Sequence, residues 1–193
     1  MNFLSQHNSE QYKSGYLELI VGPMFSGKTS MLINIYNSYN NIKPISVINH
    51  TFDNRYHDFM LSSHDKIMIP CLQANKLNDL WKDRDNNELK YTEIILINEG
   101  QFFEDIYEVV SDMLKNGKQV YVCGLDGDFE RKKFGSILDL IPICDKVTKL
   151  NARCVMCTNN CPAIFSKRLT NETKQTVIGS SNYIAVCRSC YDK

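Results

Sequence analysis

"GPMFSGKTS", residues 22–30, follows the apolar run "YLELIV" (16–21) and opens into "KTSMLINIYNSY" (28–39). It fits G-x-x-x-x-G-K-[ST], with Gly22, Gly27, Lys28 and Thr29 at the fixed positions. A strand entering and a helix leaving such a stretch is the context of a phosphate-binding loop. Gly22 and Gly27 permit the backbone angles and close approach by which main-chain N–H groups surround a phosphate, and the helix starting near Lys28 points its positive end inward. The candidate nucleotide site is therefore Gly22, Pro23, Met24, Phe25, Ser26, Gly27, Lys28, Thr29 and Ser30, with Lys28 reaching the terminal phosphates and Thr29 a ligand for magnesium. The motif specifies a nucleoside triphosphate and leaves the second substrate open.

Working outward, three more apolar runs read as strands: "PISVIN" (44–49), "EIILIN" (93–98) and "QVYVCGL" (119–125). They are continuous rather than alternating, as strands covered on both faces should be. Between them lie the helical patterns "ANKLNDLW" (74–81) and "FEDIYEVVSDMLKNG" (103–117), the latter with Ile106, Val109, Val110, Met113 and Leu114 on one face. Strands alternating with helices predict an α/β fold of the P-loop NTPase type. Its sheet is mainly parallel, with helices on both faces and sites at the carboxyl ends of the strands.

Composition narrows the partners. The 193 residues carry 22 Lys plus Arg against 22 Asp plus Glu. No basic footprint for nucleic acid stands out, and small-molecule substrates are expected. Residues 1–14 read as a flexible arm without an apolar signal core, and no stretch approaches the roughly 20 apolar residues of a membrane span. A reducing, cytoplasmic setting is expected, in which cysteines serve as thiols or metal ligands.

Five of the eight cysteines fall between Cys154 and Cys190, around a polar segment, and a boundary is placed near residue 146. The expected division is a kinase-type domain over 15–145 and a small C-terminal domain over 146–193. "CVMC" (Cys154, Cys157) and "CRSC" (Cys187, Cys190) are two C-x-x-C knuckles separated by residues 158–186. Two knuckles supply four thiolates, which close a tetrahedral structural zinc site, and the long gap becomes a loop tied at its base. Cys161 is a possible competing fifth thiol. Cys71, Cys123 and Cys144 read as core residues.

"IILINEGQFF" (94–103) runs an apolar strand into Asn98 and Glu99. A carboxylate there either accepts a proton or helps hold magnesium, or else belongs to a solvated turn. The ordered set GPMFSGKT, NEGQFF, "GLDGDFERKKFG" (124–135), "KRL" (167–169), "VIGSSNY" (177–183) and the two knuckles resembles the zinc-containing thymidine kinase family of animal cells, many bacteria and large DNA viruses. The resemblance runs from about residue 16 to residue 192.

The resemblance implies transfer of the ATP γ-phosphoryl group to thymidine under a zinc-held, lasso-like loop. It makes Glu99 the base for the 5′-hydroxyl and Arg168 a transition-state or phosphate cation. Met24, Phe102, Leu125, Phe129, Phe134 and Tyr183 become walls of a thymine pocket, with backbone groups around Val177, Ile178 and Gly179 reading the base edge. Asp53 and Arg55 stand near the phosphates. Inhibition by thymidine triphosphate and a homotetramer follow from the resemblance too. Two departures stand out: Asn98 replaces the family's usual Asp, which should weaken attraction for magnesium, and Lys133 replaces a frequent proline. A kinase for another deoxynucleoside and a non-catalytic module binding ATP and zinc are the competing readings.

Overall fold

The computed structural model describes residues 14–52, 59–62, 66–157, 159–177 and 179–193. Asp53, Arg55, Ile178 and all but Ser14 of the expected N-terminal arm lie outside the described residues.

Among the described residues, twelve strands and four α-helices follow in chain order. They are β1 (Tyr16–Val21), α1 (Lys28–Tyr39), β2 (Ile45–His50), β3 (Met60–Ser62), β4 (Met68–Pro70), β5 (Leu72–Ala74), α2 (Leu77–Lys82), β6 (Ile94–Ile97), α3 (Ile106–Lys115) and β7 (Gln119–Gly124). Then come β8 (Lys146–Lys149), β9 (Ala152–Arg153), β10 (Pro162–Ala163), β11 (Phe165–Arg168), β12 (Tyr183–Val186) and α4 (Arg188–Tyr191).

The central sheet has the order β5-β2-β6-β7-β1-β8, and every pairing in it is parallel. Its strands read as unbroken apolar runs because each side chain meets a layer. Leu17, Leu19, Ile95, Ile97, Val120 and Val122 pack with α2 and α3 on one face. Ile20, Val47, Ile94, Leu96, Tyr121 and Cys123 pack on the other face with Leu32, Ile33 and Tyr36 of α1. Burying one such Leu or Ile contributes about 1.5–3 kcal/mol. Leu61 and Ile69, from the antiparallel pair β3 and β4, complete the second layer.

The α1 span is the one the sequence predicts, whereas α2 starts at Leu77, later than expected. The reason is remote. The Asp105 carboxylate, just before α3, accepts from Leu77 N at 3.2 Å and Asn78 N at 2.8 Å, satisfying the exposed amides of the helix start where Lys76 supplies no side-chain cap.

The sheet also runs past the boundary expected at 146, because β8 pairs with β1. Two acids hold it there. Asp145 Oδ2 accepts from Leu17 N at 2.8 Å, and the buried Glu18 accepts from Thr148 Oγ1 at 2.7 Å and pairs with Lys146 at 2.9 Å. Beyond β8, two antiparallel pairs, β9–β10 and β11–β12, enclose a small separate core of Ala152, Ala163, Ala185 and Val186 with Cys154 and Cys190. No helix among the described residues is long and apolar enough to cross a membrane.

Candidate active site

The carboxyl ends of β1, β2, β6 and β7 share one rim of the sheet, since register aligns Val21 with Gly124, Ile97 with Val122 and Ile48 with Ile97. That rim carries the loop after Val21, then Asn49 and His50, then Asn98 and Glu99, then Leu125. In the loop, Gly22 (φ 153°), Phe25 (φ 64°) and Gly27 (φ 84°) take the positive backbone angles of a phosphate cradle. Gly22 is also required by space: a Cβ there would stand 2.4 Å from Leu150 O. Lys28, Thr29 and Ser30 form the first turn of α1, where the helix field favours an anion. Lys28 Nζ donates to Pro23 O at 2.7 Å, so its amine lies folded over the loop. Ser26 Oγ is buried without a partner among the described residues.

Glu99 follows β6 in the left-handed region (φ 54°, ψ 41°), which costs a non-glycine residue on the order of 1–3 kcal/mol and marks a fixed geometry. Gln101 Nε2 donates to Glu99 Oε2 at 2.6 Å. Asn98, almost fully buried, is engaged at both ends of its amide. Nδ2 donates to Asn49 Oδ1 at 2.8 Å, and Oδ1 accepts from the Cys123 thiol at 2.9 Å. Cys123 thus belongs to a polar group under the rim as well as to the core. A metal would share Asn98 Oδ1 with that thiol.

Phe102, Phe134 and the histidine ring of His50 form a chain of tilted and edge-on contacts. Phe102 lies 5.5 Å from Phe134 and 5.4 Å from His50, and His50 lies 4.8 Å from Phe103. Such offset contacts suit a wall against a flat ring. His50 is buried and accepts at Nδ1 from Phe52 N at 3.1 Å. Burial holds it below the ordinary histidine range, against the upward pull of the Asn75 backbone and the Asp105 carboxylate. The unfolded chain therefore binds a proton that the folded chain refuses as pH falls below about 6.5. The contribution of His50 to stability is complete above that pH and is lost below it. A series of thermal midpoints from about pH 8 to about pH 5 should fall faster for wild type than for His50→Gln, and parallel series would deny His50 any part in the pH dependence.

Arg168, on β11, is buried and committed to the loop that follows it. Nη1 donates to the carbonyls of Glu172 (2.8 Å) and Lys174 (2.6 Å), and Nη2 to Gln175 O (2.9 Å) and the Tyr183 hydroxyl (2.6 Å). Its guanidinium lies 3.6 Å from the centre of the Phe129 ring. These contacts make Arg168 the clamp of the 169–177 loop, with Nη1 and Nη2 turned to three protein carbonyls and the Tyr183 hydroxyl. Tyr183 hydroxyl also meets Val177 N at 3.3 Å, and Gly179 takes φ 123° at the turn before β12. Asp128 accepts from Glu130 N, Lys132 N and Gln175 Nε2, so the 125–134 segment is tied to the same loop. Lys133, the residue in place of a proline, has its charge matched by Asp139 at 2.6 Å.

The tail reaches the phosphate loop directly: Ser166 Oγ, on β11, accepts from Met24 N at 2.9 Å. A cavity of about 580 Å³ opens between them, bordered by Phe25, Ser26, Gly27, Asn151, Arg153 and Tyr183. Behind it, one sulfur each of Cys154, Cys157, Cys187 and Cys190 lies within 4.8 Å of every other. Cys157 Sγ is 3.6 Å from Cys187 Sγ and 3.5 Å from Cys190 Sγ, close to the ~3.8 Å edge of a tetrahedron with metal–sulfur bonds of ~2.3 Å. Burial opposes ionisation of Cys154, but hydrogen bonds from the backbone at Cys187 and Met156 bring its thiol down to about 6. The donor set fits a structural zinc ion. Cys161 stands outside the four-thiol group.

A phosphate loop on a parallel sheet, a carboxylate fixed at a nearby strand end and a four-thiol tail hydrogen-bonded to the loop define a P-loop α/β protein with a metal-binding appendage. Comparison with known proteins gives the family. The profile described as thymidine kinase matches residues 15–191. The thymidine kinase of Variola virus is 44% identical over 179 residues, covering 92% of this chain and 97% of the relative. That of Yaba monkey tumor virus is 40% identical over 183 residues, covering 94% and 97%. A thymidine kinase of Oryza sativa subsp. japonica is 38% identical over 181 residues, covering 92% of this chain and 66% of the plant protein. The chain belongs to the thymidine kinase family.

Reading the sequence missed Asn49, His50, Gln101 and Asp128. For Gln101 a signal existed: Gly124 and Gly135 both stand where a Cβ would run into it. For the others none did, because the contacts that tie them to the site, Asn49 to Asn98, His50 to Phe102 and Phe103, and Asp128 to Gln175, reach across distant strands and loops.

Proposed function

We propose that the chain transfers the γ-phosphoryl group of ATP to the 5′-hydroxyl of thymidine, giving thymidine monophosphate and ADP. The observation that carries this reading is the shared rim: the phosphate cradle of Gly22–Ser30 and the fixed Glu99 carboxylate lie at carboxyl ends of one sheet, in a chain of the thymidine kinase family. Phosphoryl transfer needs positioning and charge stabilisation more than covalent help. The main-chain N–H groups of the cradle hold the phosphates. Lys28 exchanges the Pro23 carbonyl for phosphate oxygens. Glu99 aligns the 5′-hydroxyl and accepts its proton. Magnesium, held by Thr29 with the phosphates, would neutralise charge on the transferring group.

Met24, Phe102, Leu125, Phe129, Phe134 and Tyr183 would enclose the thymine ring, with backbone groups of Val177, Ile178 and Gly179 on its polar edge. Arg168 would act by shaping that loop. Asp53 and Arg55 near the phosphates, a cytoplasmic location, inhibition by thymidine triphosphate and a homotetramer belong to the same proposal. Phosphorylation of a panel of nucleosides with ATP and magnesium tests it. Thymidine should be the preferred acceptor, and preference for a purine or ribonucleoside would replace the reading with another kinase specificity.

Asn98 gives a sharper test of the metal. An Asp there restores a negative charge near a divalent ion at unchanged side-chain length, so Asn98→Asp should reach half-maximal rate at several-fold lower magnesium with thymidine KM nearly constant. Superimposable magnesium titrations would mean that position 98 serves only the buried Asn49–Asn98–Cys123 group.

A further inference from the structure

We infer that Gln101 is a positioning residue that joins the Glu99 carboxylate to the segment 125–134, so that the base and that wall of the pocket are set together. This rests on the reading of Glu99 as the base. Gln101 is 3% exposed, and the two ends of its amide bind different segments of the chain. Nε2 donates to Glu99 Oε2 at 2.6 Å, and Oε1 accepts from Leu125 N at 2.9 Å.

Both ends of the segment close on this one residue. At its start, a Cβ on Gly124 would stand 2.4 Å from Gln101 Oε1, and at its end a Cβ on Gly135 would stand 2.0 Å from Gln101 O. The backbone therefore approaches Gln101 more closely than any side chain allows, at two points of the chain eleven residues apart. Between them lie Phe129, under Arg168, and Phe134, against Phe102. An amide suits this position because it offers a donor to a carboxylate and an acceptor to a backbone N–H, and it does not compete for the substrate proton. Fixing one oxygen of Glu99 fixes the plane of the carboxylate, and misplacement of a reacting group by ~1 Å costs as much as ~100-fold in rate.

The test compares wild type, Gln101→Glu, Glu99→Gln and the exchanged pair Glu99→Gln/Gln101→Glu in thymidine and ATP kinetics, thermal midpoint and thymidine binding by calorimetry. Gln101→Glu keeps shape and the acceptor for Leu125 N but removes the donor to Glu99. Its kcat should fall about tenfold to 100-fold with thymidine KM within about threefold. The exchanged pair restores the hydrogen bond with the carboxylate on the wrong residue. It should regain the thermal midpoint and thymidine binding while kcat stays at the level of Glu99→Gln, which also serves if Gln101→Glu alone does not fold. Full kcat in Gln101→Glu, or a further loss in the pair that multiplies the two single losses, would overturn the positioning role while leaving Glu99 as the base. Full kcat in Glu99→Gln would instead overturn the reading of Glu99 itself.

Discussion

Replacing Glu99 with glutamine should lower kcat by about 10²-fold or more while thymidine and ATP still bind, the usual scale for loss of a general base. Glutamine keeps the length and branching of the side chain and can still accept from Gln101 Nε2, which meets Glu99 Oε2 at 2.6 Å. The left-handed turn at residue 99 is unchanged in kind, so the fold should survive. What is lost is the capacity to take the proton of the attacking hydroxyl. Steady-state kinetics paired with calorimetric binding separate the two. A variant that binds normally and turns over normally would remove Glu99 from the mechanism, and one that fails to bind would make it a recognition residue.

Loss of the thiol cluster should have an effect of comparable size by a different route. Protein prepared without chelator should contain about one zinc per chain, and structural zinc contributes about 10 kcal/mol or more of apparent binding free energy in small peptides. The core it would stabilise is small, made of alanines, one valine and the cysteines themselves. Cys187→Ser should therefore loosen β11 and β12 first. Two contacts go with them: Ser166 Oγ to Met24 N, and the grip of Arg168 on the 169–177 loop. Thymidine KM should rise about tenfold or more, equivalent to about 1.4 kcal/mol of binding, before the sheet unfolds. Metal analysis that finds no zinc, or a serine variant with unaltered KM, would detach the cluster from the nucleoside site.

How much of this is legible in the sequence follows from where the determining contacts lie. The strands β1, β2, β6 and β7 are readable because burial on both faces leaves an unbroken apolar run, as in Ile94–Ile97. The phosphate loop is readable because its glycines answer to local geometry. The four-thiol group is readable because two knuckles fix two ligands each. By contrast β8 is an edge strand with Lys146 and Lys149 exposed, and its place in the sheet depends on Glu18 and Asp145, which no pairing pattern or periodicity marks. The start of α2 depends on Asp105, 27 to 28 residues away. Arg168 shows the same limit at the level of function. Its charge suggests a phosphate partner, while its burial and its four acceptors, which only the folded loop supplies, give it the loop to hold.

If ATP and thymidine meet on one rim and exchange a phosphoryl group there, ADP and the phosphorylated nucleoside must appear together. Both products can be followed at saturating ATP and magnesium, with thymidine added or withheld. Negligible ADP is expected without thymidine and, with it, one ADP for each thymidine 5′-monophosphate. ADP formed at the same rate without thymidine, or phosphate found elsewhere than on the 5′-oxygen, would contradict transfer at this rim.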